Sequence, residues 1–136
     1  MLEFAVGVGV LSSLFTGTFQ FGYGFYKYDT LYNAVRGAAA YAAMKSYDSS
    51  TGTPSDNYQL AVKNMVLYGN PSGTGAQIVQ GLNANNISVS VTMDNNVPST
   101  VNVKVTSYSI DTIFKTFTMT NKPSASFTYV GQFAPP

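Results

Sequence analysis

The chain has neither cysteine nor histidine among its 136 residues. Without Cys there is no disulfide framework and no thiolate nucleophile; without His the common catalytic triads and the usual zinc sites cannot be built. No Lys has a Ser three positions before it, which removes a Ser-x-x-Lys dyad as well. Charge is equally scarce. Seven Lys or Arg face six Asp or Glu, 10% of the residues, where about a quarter is usual. Neither sign is in enough excess to hold a polyanion or a basic partner, so nucleic acid is not expected as a ligand. Paired carboxylates are the remaining catalytic option, and the two in the strand-rich region, Asp94 and Asp111, sit at turn-like positions where Asp serves the backbone. The chain is therefore expected to be no enzyme, with no catalytic, cofactor-binding or metal-ligating residues. So low a charge density is typical of surfaces that end up covered by lipid or by other protein.

What the chain does have is apolar surface. Hydrophobic residues make up 45% of it, with ten Tyr and nine Phe. No charged residue occurs from Phe4 to Tyr26, and about 20 apolar residues suffice to cross a bilayer as a helix. The run is softened by Ser12, Ser13, Thr16, Thr18, Gln20 and several glycines. It does not read as a cleavable signal peptide, because no basic residue precedes it and no small-residue cleavage pattern ends it. Ala5, Gly9, Ser13 and Gly17 recur at i, i+4, a strip on which another helix backbone can come close, while Phe15 and Phe19 repeat the spacing on a different face.

Glu3 is the one charge at the start of this run. A carboxylate at the edge of an apolar helix is costly unless a cation neutralises it, although its sign suits a helix N-terminus. The chain's own α-amino group is close in sequence but awkwardly placed along the helix axis, so the N-terminus of a neighbouring copy is an alternative partner.

A more specific signal follows the apolar run. Leu2-Glu3-Phe4-Ala5 opens the chain, Gln20-Phe21-Gly22-Tyr23-Gly24-Phe25-Tyr26-Lys27-Tyr28 ends the run, and Thr30-Leu31-Tyr32-Asn33-Ala34-Val35-Arg36-Gly37-Ala38-Ala39-Ala40-Tyr41-Ala42-Ala43 continues it. Over roughly the first 43 residues this resembles the TadE-like pilins of tight-adherence (Tad) type IV pili. Their usual pattern is Glu-Phe-Ala, an apolar run, Glu-Phe-Gly-Arg, then Asn-Ala-Ala-Arg-Glu-Gly-Ala-Arg-Tyr-Ala. Gln20 and Tyr23 depart from it, and the interior Glu of the later motif is absent. Pilins more broadly carry their assembly glutamate at the fifth mature position, whereas here it is the third. Either two residues are missing upstream or the contact register differs. The lack of a basic leader suggests a processed product.

The resemblance implies a structural subunit that waits in the inner membrane, is cut by a prepilin peptidase, and is raised by separate pilus assembly machinery into an extracellular, homo-oligomeric filament for adhesion and surface attachment. Its assembly interface would comprise Glu3, Phe4, Ala5, Gly9, Ser13, Phe15, Gly17, Phe19 and Phe21. The alternatives are a minor pilin or pseudopilin that primes a filament, and a single-pass membrane-anchored binding domain.

The remaining pattern predicts an α+β fold in two parts. Residues 1–46, free of Pro, form a long helix of about 70 Å at 1.5 Å per residue, with 1–26 as its membrane or filament-core half. Residues 47–136 form a globular head packed on the second half of that helix, where Ala34, Ala38 and Ala42 make a strip of low relief. In the head, Ser55 caps a short helix with Tyr58, Ala61, Val62, Met65 and Val66 on its apolar face, stopped by Gly69. The segment 69–75 has the glycines of a phosphate loop but no Lys after them, and reads as a surface turn. Beyond it the period becomes two. Ile87, Val89, Val91 and Met93, then Val101, Val103 and Val105, then Phe127 and Tyr129 alternate with polar residues, predicting one small antiparallel sheet whose edge is closed by Ile110, Ile113, Phe114 and Phe117.

Overall fold

The computed structural model describes residues 2–112 and 116–135. It has the α+β architecture: a helix α1 (Leu2–Met44), a shorter helix α2 (Asp56–Tyr68), and five strands, β1 (Ile87–Asp94), β2 (Val97–Val105), β3 (Ser107–Asp111), β4 (Thr116–Thr120) and β5 (Ser124–Thr128). The second half of α1 is the spine of the head. Leu31, Val35, Ala38, Ala39, Ala42 and Ala43 are buried, the spacing of a single helix face. Four of the six are Ala, so the backbones of α2 and the sheet come close. Of the low-relief strip, Ala38 and Ala42 are buried and Ala34 is half-exposed.

Helix α2 begins where the Ser55 hydroxyl accepts from the Tyr58 amide at 3.2 Å, itself held by donating to Asp48 at 2.6 Å. It ends at Gly69, left-handed at φ 68°, whose amide returns to the Met65 carbonyl at 3.0 Å. Tyr58, Val62, Val66 and Leu67 are buried, while Ala61 and Met65 lie at the margin. The glycine-rich turn after it is pinned by side chains: Asn70 accepts from the Ser72 amide, and Asn64 donates to the Pro71 carbonyl.

The main sheet is antiparallel in the order β1-β2-β5. Val89 pairs with Val103 and Val91 with Val101, so both strands turn the same alternate residues to the core. Asn95 and Asn96 join them with φ of 50° and 62°, the left-handed pair that a two-residue turn between twisted strands requires. On the other side of β2, Phe127 pairs with Val101 and Ala125 with Val103.

The expected single sheet is in fact two. Strands β3 and β4 pair only with each other, Ile110 opposite Phe117 and Tyr108 opposite Met119. The break falls at Thr106, whose amide turns to the Asn86 carbonyl at 2.7 Å while its own carbonyl accepts from Asn121 at 3.0 Å. That frees the edge of β2 for β5, with Val105 donating to the Pro123 carbonyl. Ile110 and Phe117 therefore belong to a separate ribbon and do not close the main sheet. Ile113 and Phe114 lie outside the described residues.

The C-terminal end of α1 has no glycine cap. Its last carbonyls are met instead by a tyrosine of α2 and by the far end of the chain. Tyr58 donates to the Ala42 carbonyl at 2.5 Å, the Val130 amide to Ala43 at 2.9 Å, and the Tyr129 hydroxyl reaches the carbonyls of Lys45 and Gln132 at 3.0 and 2.7 Å. Tyr47 stacks edge-on to Tyr58 with ring centroids 5.2 Å apart and bridges to Phe133. Burial, reinforced by neighbouring tyrosines and Asp48, pushes the Tyr58 phenol above its ordinary value of 10.0. Tyr58→Phe leaves the Ala42 carbonyl buried and unpaired, and should cost about 1–3 kcal/mol in denaturant titration of the full chain in detergent. Because folding raises this pKa, the unfolded chain loses the proton first as pH climbs. The stabilisation is complete below pH 10.0 and falls above it. Melting temperature measured up the alkaline range should decline from that point, less steeply in Tyr58→Phe than in wild type.

Candidate functional site

The same helix that forms the core of the head runs on as a bare rod. From Glu3 to Phe15 every residue is exposed. Phe4 is 77% exposed, Phe15 76% and Phe25 72%, and Val6, Val10, Leu11, Leu14, Phe19 and Phe21 are open as well. These apolar side chains surround the helix and so do not form one stripe. A helix apolar all round is one meant for a non-aqueous or protein-lined setting. This is the one helix among the described residues long and apolar enough to cross a membrane, close to the N-terminus, and it has the character of a membrane anchor.

Three of its hydroxyls are satisfied within the helix. Ser13 donates to the Gly9 carbonyl at 2.9 Å, Thr16 to Ser12 at 2.7 Å and Thr18 to Leu14 at 3.0 Å. A hydroxyl bonded four residues back presents no unmet donor to lipid or to a packed neighbour. The glycines are equally uncommitted in this chain alone. A Cβ built on Gly7, Gly9, Gly17, Gly22 or Gly24 meets nothing within 4 Å. Ala5, Gly9, Ser13 and Gly17 thus form a shallow strip on which a Cβ at either glycine would meet no described residue, and Phe15 and Phe19 project elsewhere. Glu3 stands exposed at the start of the rod. The next cation in the sequence, Lys27, is 24 positions on (27 − 3), about 36 Å along the axis. The α-amino group of Met1 lies outside the described residues.

Where the rod meets the head, the β3–β4 ribbon leans over residues 20–28. On one side is an apolar slot of about 340 Å³ lined by Phe21, Gly24, Phe25, Ile110, Phe117 and Met119. On the other is a polar groove that includes Lys27, Tyr108 and Asp111. Neither is apparent from the sequence, since both depend on the ribbon separating from the main sheet. The alternation of Tyr108 and Ile110 was the only signal available. Among the described residues no group of three or more acidic side chains converges as a metal site would require. The chain matches no known family model, no curated protein and no solved structure.

Proposed function

We propose that this chain is a structural pilin subunit whose apolar rod packs against the rods of other copies to build an extracellular fibre of the Tad type. One observation carries the reading: a single 43-residue helix serves as the core of a folded head at one end and leaves its other end, from Glu3 to Phe15, exposed and mostly apolar. Such a helix needs surroundings, first a bilayer and then its own kind. Moving from lipid to protein yields little from burial, because lipid is also apolar. The gain must come from close packing at the Ala5, Gly9, Ser13 and Gly17 strip and from neutralising Glu3. Each contact is small, and a helical assembly repeats it at every subunit. A prepilin peptidase and a separate assembly machine would act on the inner-membrane form, and the fibre would serve surface attachment.

The test is electron microscopy of sheared cell-surface material, with mass spectrometry of the purified fibre and its N-terminal peptide. The reading requires this polypeptide to be the bulk of the fibre. Fibres whose shaft is another polypeptide, or a chain found only singly in the membrane fraction, would end it.

A further inference from the structure

The first cation after the apolar run sits in a built groove. Lys27 Nζ lies 5.5 Å from the centroid of the Tyr23 ring. Both line an open groove of about 560 Å³ whose far wall carries Asn83, Asn86, Tyr108 and Asp111. The Tyr108 hydroxyl is committed to the Gln80 carbonyl at 2.8 Å, and Asp111 Oδ1 accepts from Thr116 at 2.7 Å. Lys27 and Asp111 are thus each held by a neutral neighbour and not by each other, and both are near enough to act on Tyr108 in opposite senses. Among the described residues that line it, the groove presents one positive and one negative charge with amide and hydroxyl groups between.

Its height matters. Lys27 lies about 36 Å along the axis from Glu3 at 1.5 Å per residue, and a bilayer's hydrocarbon core is about 30 Å thick. With the rod across a membrane, Glu3 falls in one interface and Lys27, with its groove, in the headgroup layer of the other. Ile110 lines this groove and also the apolar slot on the ribbon's other side. An ammonium, a carboxylate and a neighbouring apolar slot at that depth match a lipid whose headgroup carries both a phosphate and a primary amine.

We propose that this groove seats the zwitterionic headgroup of an amine-bearing phospholipid, phosphate toward Lys27 and ammonium toward Asp111, while the subunit resides in the membrane. The proposal rests on the membrane-resident stage of the reading above. A phosphate headgroup without an amine would meet Lys27 but leave Asp111 repelling it, so the pair selects for the zwitterion.

The full chain, purified in detergent and titrated with phosphatidylethanolamine or phosphatidylglycerol, should hold the former about tenfold more tightly by native mass spectrometry. Asp111→Asn should abolish that preference, and Lys27→Gln should weaken retention of both lipids, with melting temperatures confirming the fold. Arg36→Gln, which removes an equal charge from an exposed site higher on α1, should keep it. Equal retention of the two lipids by wild type, an unchanged preference in Asp111→Asn, or undiminished retention of both lipids in Lys27→Gln overturns the assignment. Fibre formation is scored separately: fibres without lipid preference sink only the groove, and lipid preference without fibres sinks only the pilin reading.

Discussion

Gly17→Leu should abolish fibres while leaving the subunit intact. In the isolated chain a Cβ at Gly17 meets nothing within 4 Å, so a larger side chain has room. Leu is also the better helix former, by roughly 0.7 kcal/mol, and the rod alone should become slightly more stable. In the proposed fibre the sign reverses. A Leu side chain on the Ala5, Gly9, Ser13 and Gly17 strip holds two helix backbones apart, and the loss recurs at every subunit contact. Fibre yield in sheared material is the readout, with circular dichroism and melting of the detergent-solubilised chain as the control. Glu3→Ala should give the same pair of results for an electrostatic reason. Wild-type fibre yields from both variants would remove the proposed packing.

The second large effect lies in the head. Gly131→Ala should destabilise it by about 3 kcal/mol, the upper range for forcing an extra methyl into a packed site. The added Cβ would lie 2.7 Å from the Lys45 carbonyl, 2.9 Å from that of Met44 and 2.8 Å from the Tyr129 hydroxyl. Two of these are backbone atoms at the end of α1, which cannot give without disturbing the helix end. The third is the hydroxyl that bonds Lys45 and Gln132. A fall of more than about 10 °C in melting temperature is expected for a domain of this size. A change of only a degree or two would show that the tail does not press on the helix end.

The contrast between these two glycines explains what could be read in advance. Helix α2 was legible because cap, period and stop agree: Ser55, the Tyr58–Val62–Val66 face and Gly69 are all local signals. The strands were legible because Val89, Val91, Val101 and Val103 alternate cleanly. The core face of α1 was only half found. The low relief of Ala34, Ala38 and Ala42 marks part of it, whereas Leu31 and Val35 anchor the buried face and Ala34 is one position off it. The ribbon's separation at Thr106 depends on a bond to Asn86, twenty positions away (106 − 86), and no local pattern announces it. The tyrosine caps on α1 are more remote still, with Tyr129 reaching Lys45 across 84 positions. For the rod, exposure follows directly from the chargeless run. Which neighbours it would touch belongs to the proposed fibre and not to the single chain.

The closure of α1 by the chain's opposite end also bears on mechanics. Val130 is bonded to Ala43, Tyr129 to Lys45, and Tyr47 to both Gln132 and Ala134, all within one short stretch. Together these stitch the segment after the last strand alongside the helix end. A pull on α1 that reached this end would meet several bonds at once, where a head hung on a single loop would meet one. Tension entering through the rod would thus be shared with the sheet through β5, which leads directly into this segment.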